Sequence, residues 1–456
     1  MAALLAALLP AGTGRAAPPA GPPAGEPLLP IVFVHGQSGS AQQFATQAQR
    51  FTSNGYPQEL LHVFEYDTSV ATTPLARLDA FLDEVLAETG APQVLAVGHS
   101  RGTGVWTSYL DAPAYGSAKV ARYVGIDGVR QATLPGGVPT LGIWGEWNSA
   151  GSAYNRIGGA DAQLGPDPAR NHHFPDKGHT EVATSPEAFA LMHAFFTGRA
   201  PATTDVVPEP PGRVTIAGRT VLFPQNVGYE GAVLQLWRVD PATGARTGAR
   251  PQAVLPVDAS GDFGPLRVQG RTTYELAVVR PEDGSVHHFY VEPFARSDHF
   301  LRLNTARPGT GTEAATARSA TTSNLVVNRQ RELWGDQGER SDVLRVNGLD
   351  VLTPATSPRS AVNLAVFTFD AGLDGRTDLA RGELPPFGAL PFLTAADVFV
   401  PASPGGRGTV AVSEEPRGSG RVTTLNVPDW PSATDRTSVQ FSDADQERPA
   451  FPGPRG

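Results

Sequence analysis

Residues 94–104 read VLAVGHSRGTG, an apolar, β-prone run that passes directly into small residues. Val94, Leu95 and Val97 favour a buried strand, and the glycines that follow mark a tight turn around Ser100. Gly98–Gly102 therefore satisfies G-x-S-x-G in the context the pattern needs, with a strand before it and a helical spacing of Trp106, Tyr109 and Leu110 after it. A serine in that turn is strained and carries its hydroxyl to the top of a sheet, which is why its neighbours must be small. The bland alternative is a polar residue in a glycine-rich turn, and the rest of the chain decides between the two.

The same alternation of strands and helices extends on both sides. Apolar runs at 31–35, 61–66, 93–98, 121–127, 139–145 and 171–174 read as strands, and 74–88 (PLARLDAFLDEVLAE) repeats its leucines at helical spacing. Strands separated by helices imply a mostly parallel sheet covered on both faces. The last helix is expected over 185–196, with Ser185 as N-cap and Pro186 in the first turn. A Pro/Gly-rich linker at 201–212 closes this α/β unit, residues 28–200.

Beyond the linker the character changes to short runs (214–217, 232–239, 274–279, 288–291) separated by Asp-Pro, Thr-Gly and Asp-Gly turns. These predict an all-β domain of sandwich or barrel type over 213–299. Residues 300–456 repeat the habit at 324–329, 363–369, 397–402 and 422–427, as a second β-domain or a continuation of the first. The stretch 257–268 (VDASGDFGPLRV) reads as two strands around an ordinary Asp/Gly turn rather than as a calcium loop.

Composition narrows the partners. The 456 residues carry a formal charge of −9 without a basic run, which argues against nucleic acid and anionic membranes. The absence of cysteine excludes disulfides, thiolate metal sites and cysteine nucleophiles. Residues 1–27 (MAALLAALLPAGTGRAAPPAGPPAGEP) are too short in their apolar part to span a bilayer, so no stable membrane insertion is expected. They resemble a secretory signal lacking its basic start, followed by a disordered linker, and so imply an extracellular protein. Nothing in the sequence sets the oligomeric state.

If Ser100 is a nucleophile, it needs an oxyanion hole, a base and an acid. The backbone N–H of Arg101 is one expected oxyanion donor, and that of Gln37, in the HGQSGS loop after the first strand, is the other. His35 reads as a packed structural histidine. Of the ten histidines, His179 lies in a loop after the last predicted strand and before the last helix, where the base of such a fold sits. Asp127, at the end of the strand 121–127, is the preferred acid; Glu146 after the next strand is an alternative, with Asp161 and Asp176 behind it. Trp147 is a candidate substrate contact, beside Trp106 and Trp144, for which core packing is the equal reading.

The stretches PIVFVHGQSGSAQQF (30–44), NGYPQELLHVFEYDT (54–68), VGHSRGTG (97–104), YVGIDGV (123–129), GHTEVATSPEAFALMHAFFTG (178–198) and PATTDVVP (201–208) resemble, in order and spacing, archaeal carboxylesterases and long-chain lipases. These are α/β-hydrolases followed by a C-terminal β-domain that contributes to lipid binding. The resemblance covers residues 28–210 and implies Ser100 as nucleophile, His179 as base, Asp127 as acid, and Gln37 and Arg101 as oxyanion donors. It departs in two places. Asp67 is followed within a few residues by the helix near Pro74, leaving no room for the long lid of those lipases, and polar Gln37 and Arg101 replace apolar side chains.

The expectation is a serine carboxylic-ester hydrolase, acting on an ester or lipid substrate without a metal or organic cofactor, with the β region assisting lipid or polymer binding. The triad does not choose between acyl substrates, so a serine peptidase or carbohydrate deacetylase is the alternative within enzymes. A secreted binding protein with an inactive hydrolase domain is the alternative outside them.

Overall fold

The computed structural model describes residues 28–128, 131, 133–145, 171–382 and 384–443. Its first part is a parallel sheet of six strands, β1 (Ile31–Val34), β2 (Leu61–Phe64), β3 (Val94–His99), β4 (Val120–Ile126), β5 (Thr140–Gly145) and β6 (Asn171–Phe174), in the order β2-β1-β3-β4-β5-β6. Every pairing is parallel. The helices α1 (Ala45–Ser53), α2 (Leu75–Thr89) and α3 (Arg101–Leu110), with the last helix Pro186–Thr197, cover the two faces. This is the α/β-hydrolase expectation realised. Burial on both faces explains why β1, β3 and β5 read as unbroken apolar runs. Ser185 caps the last helix as expected, its hydroxyl accepting the Ala188 N–H, and Gly198 ends it in the left-handed region.

The strand order reverses at β1 and β3, where the chain winds outward in both directions. Such a point leaves a crevice at the C-terminal strand ends, the usual ligand position in open parallel sheets. The loop after β1, the turn after β3, and the segments that follow β4 and β6 all emerge there.

The second part is all-β. Its longest sheet has eight strands, in the order Ala253–Pro256, Val233–Arg238, Tyr274–Val279, Val286–Val291, Asp435–Gln440, Leu325–Asn328, Ala365–Phe369 and Leu393–Asp397. One end packs against a sheet built on Thr215–Leu222 and Asp298–Thr305, through Ile216, Leu303, Leu236 and Leu276. The other end packs against a sheet built on Val343–Val346, Thr409–Glu415 and Thr423–Pro428, through Leu344, Val410, Val427 and Val327. Both are sandwich packings over one long sheet.

Three sequence expectations need correction. Residues 397–402 do not form a strand: the strand Leu393–Asp397 ends there, because Asp397 turns its carboxylate to the Ala371 N–H and to Arg381. Only a bridge from Thr322 to Pro401 follows. The expected strand 214–217 runs on to Leu222 through Gly218, which propensity disfavours; a Cβ on Gly218 would stand 2.1 Å from the Leu301 carbonyl of the neighbouring strand. The two strands around 257–268 are Ala253–Pro256 and Asp262–Arg267, and they lie in different sheets. Asp258 Oδ1 between them is occupied by the N–H groups of Ser260 and Gly261, an ordinary turn.

The two parts share a tight boundary. Phe300 of the β region joins the hydrolase core and meets Phe33 edge-on at 6.1 Å. Glu65, just after β2, is buried against Arg302 and Arg219, and Glu181 against Arg331 and Arg417.

Candidate active site

Ser100 follows β3 and opens α3, with φ 53° and ψ −123°. A non-glycine residue holds that conformation only where its surroundings enforce it. Here the Ser100 N–H donates to Ile126 O at 2.9 Å, and its carbonyl accepts the Thr103 N–H and hydroxyl. Close approach of the helix to β1 is possible because residue 102 lacks a side chain: a Cβ there would stand 2.1 Å from Val34 O. The glycine pattern in the sequence thus reflects a strand and a helix start pressed together.

Asp127 continues β4 in the left-handed region with φ 41°, and its N–H bonds to Ile143 O of β5. Its Oδ1 accepts the Gly145 N–H at 3.1 Å and its Oδ2 meets His179 Nδ1 at 2.6 Å. Ser100, Asp127 and His179 are all buried. Burial pushes the Asp127 carboxyl up to about 7 and the His179 imidazole down to about 3. The imidazole is therefore neutral at pH 7, carries its proton on Nδ1 toward Asp127, and keeps Nε2 as an acceptor. Of the other acids weighed, Asp176 lies exposed on the surface, whereas Glu146 and Asp161 fall outside the described residues.

The loop after β1 runs past the serine, since a Cβ placed on Gly36 would stand 3.4 Å from Ser100 Oγ. Among the described residues no acceptor takes the backbone N–H of Gln37 or of Arg101. Their side chains are otherwise engaged: Arg101 Nη1 donates to Gln37 Oε1 at 2.6 Å, Gln37 Nε2 donates to Thr68 O at 2.7 Å, and the guanidinium stacks over Tyr66. The two residues read as polar replacements thus fasten the loop after β1 to the segment after β2.

His35 is structural, as expected. It is stacked on Tyr66 with ring centroids 4.7 Å apart, and donates from Nδ1 to Gly36 O. Trp106 and Trp144 are core residues whose indole N–H groups donate to Val97 O and Asn171 Oδ1. Trp147 lies outside the described residues.

Four neighbours escaped the sequence reading. His99, the variable residue of the elbow, donates from Nε2 to His179 O at 2.9 Å, while its Nδ1 accepts from Gln43 Nε2 at 2.5 Å. Burial holds His99 down at about 3, consistent with that neutral tautomer. Gln43 Oε1 in turn accepts the Gly36 N–H, so one chain of hydrogen bonds ties the loop after β1 to the backbone of His179. From the β region, Asn226 donates to Gly39 O and Tyr66 O. Glu332 accepts the N–H groups of Thr180 and Glu181, immediately after His179. His99 lay inside the quoted motif and was legible; Gln43, Asn226 and Glu332 had no local signal, since only tertiary folding brings them here.

Residues 28–109 match the family model described as lipase (class 2), and residues 212–308 match the lipase C-terminal domain. Residues 311–445 match a third model, whose description gives only a C-terminal domain. Among solved structures, the mature lipase BlEst2 of Bacillus licheniformis is 18% identical over 38% of this chain and 96% of that one, with a TM-score of 0.27. The lin2722 gene product of Listeria innocua is 15% identical over 37% and 94%, with a TM-score of 0.28. Lipase B of Aspergillus fumigatus is 15% identical over 39% and 54%, also at 0.28. The class rests on the lipase models and on the sheet rather than on these partial overlaps. The chain is an α/β-hydrolase of lipase-like type followed by a C-terminal β region. Within that class it is a carboxylesterase/lipase-like hydrolase, and an ester is the substrate that fits it.

Proposed function

We propose that the protein hydrolyses carboxylic esters through an acyl-enzyme on Ser100, with His179 as general base and acid and Asp127 as its orienting carboxylate. The observation that carries this reading is the buried 2.6 Å contact between His179 Nδ1 and Asp127 Oδ2 beside a serine held at positive φ. His179 Nε2 takes the Ser100 proton as Oγ adds to the ester carbonyl. The N–H groups of Gln37 and Arg101 receive the oxyanion. The C–O bond to the alcohol then breaks as His179 returns the proton, and water repeats the cycle to release the acid. One such donor is typically worth about 3 kcal/mol of barrier.

The connection from Glu65 to α2 is short and partly exposed, which supports an open site. Soluble esters of short to medium acids are accordingly the preferred substrates. The reading extends to an exported protein, on the strength of residues 1–27, and to a β region from 213 onward that functions as one assembly because its long sheet draws strands from both of its halves. The test is turnover of p-nitrophenyl butyrate by the wild type and by Ser100→Ala. Turnover reduced by at least about 10³-fold in a folded variant supports the proposal, and equal turnover overturns it.

A further inference from the structure

A cavity of about 440 Å³ lies between the hydrolase and the β region. One wall is Ser38, Gly39 and Ser40, the back of the loop after β1; Ser100, Asp127, His179, Gln37 and Arg101 are not on its surface. The rest is mostly apolar, with Phe223, Val326, Phe367, Leu390 and Phe392 forming its body. Its volume and lining are those of a small-molecule site rather than of a packing defect.

Neutral polar groups also reach it, Asn304, Thr312, Asn328, Gln330 and Ser438 among them, and its charged member is Arg436, on the strand Asp435–Gln440. Arg436 is half-buried, and cations withdrawn from water are ordinarily paired with a carboxylate. Among the described residues Arg436 has no carboxylate within ion-pair distance, and its guanidinium makes one side-chain hydrogen bond, from Nη2 to Thr312 Oγ1 at 3.3 Å. The acid that acts on it electrostatically, Glu313, is held by Arg280 and Arg318, at 2.6 Å each. Three guanidinium groups thus share one carboxylate, and the third faces the cavity. Burial brings Arg436 down to about 10, so it remains a cation at neutral pH and carries the desolvation cost.

We infer that this cavity binds a medium-chain monocarboxylate, its alkyl tail along the apolar wall and its carboxylate on Arg436. A fork of N–H donors suits a carboxylate, and such a ligand would supply the missing anion while burying its chain. The inference extends the proposed ester hydrolysis, which releases a carboxylic acid, to a second site that retains that class of product. It is tested by binding, so it stands or falls apart from turnover.

The experiment titrates dodecanoate into the full-length Ser100→Ala protein by calorimetry, with dodecanol as the uncharged control. Arg436→Gln and Ala306→Trp, the latter adding bulk to the cavity wall while keeping the arginine, are measured beside it, each first shown to melt cooperatively. The expected result is saturable binding of one dodecanoate per chain, at least tenfold weaker binding of dodecanol, and at least tenfold loss in both variants. If Arg436→Gln fails to fold, Ala306→Trp together with dodecanol decides. No dodecanoate binding, dodecanol binding as tight as dodecanoate, or dodecanoate binding unchanged in the folded variants would overturn the inference.

Discussion

Glu332 Oε1 lies 2.6 Å from the backbone nitrogen of Thr180, so a carboxylate from the β region holds the chain one residue beyond His179. Its second oxygen takes the Glu181 N–H at 2.9 Å. Glutamine cannot accept both, since its NH2 group would face an N–H. Glu332→Gln is expected to lower kcat toward a soluble ester by about 10²-fold, the scale of a small misplacement of a reacting group, with little change in KM. Steady-state kinetics on a folded variant check this, and a wild-type kcat would show that the contact only adds stability.

The pH profile follows from the buried pair. Catalysis as proposed needs His179 neutral and Asp127 ionised, and burial pushes the Asp127 carboxyl up to about 7 while holding His179 low. Adding a proton to the pair silences it, whichever partner carries the proton. kcat/KM should therefore rise with pH on an acid limb near neutrality, well above the ordinary carboxylate range. A flat profile from pH 5 to 9 contradicts the assignment.

Acid stability is set at the domain boundary. Pairing with Arg302 and Arg219 draws Glu65 down to about 2 against its burial, and pairing with Arg417 and Arg331 does the same for Glu181. Both folded values lie below the usual 4.5 of a glutamate. Each pair thus contributes stability that is fully present above about 4.5 and lost as pH falls toward 2. Tm should drop over that window, and the drop should be shallower in Glu65→Gln, whose Tm at pH 7 is already reduced. Parallel curves for the two proteins would refute the linkage.

Gly102→Ala places a methyl group 2.1 Å from Val34 O, and both backbones at that point belong to regular elements that cannot yield cheaply. Destabilisation of about 3 kcal/mol or more is expected in urea unfolding. A change within about 0.5 kcal/mol would mean that the strand and helix can separate freely.

Chain-length preference follows from the short connection between β2 and α2. In a p-nitrophenyl ester panel, butyrate to decanoate should turn over faster than palmitate, and a clear palmitate preference refutes the open-site reading.

Much of the hydrolase part was legible because its signals are local. Buried parallel strands leave apolar runs such as 94–97, and the turn at Ser100 leaves glycines at fixed offsets. Asp127 was reachable from its place at a strand end, and the 2.6 Å contact separates it from the exposed Asp176. What stayed hidden depends on distant chain segments. Gln43 and Glu332 carry no motif, and their partners are 56 and 152 residues away. The strand through Gly218 defied propensity because a neighbouring backbone, invisible in the local sequence, leaves no room for a side chain. Asp397 ended a strand early for a similar reason, its partners Ala371 and Arg381 lying in preceding turns.

The most direct test of the central claim is covalent. Incubation of the purified protein with a fluorophosphonate, followed by peptide mass spectrometry, should find one adduct on the Ser100 peptide, absent from Ser100→Ala. A folded wild-type protein that hydrolyses esters yet leaves Ser100 unlabelled would contradict the account.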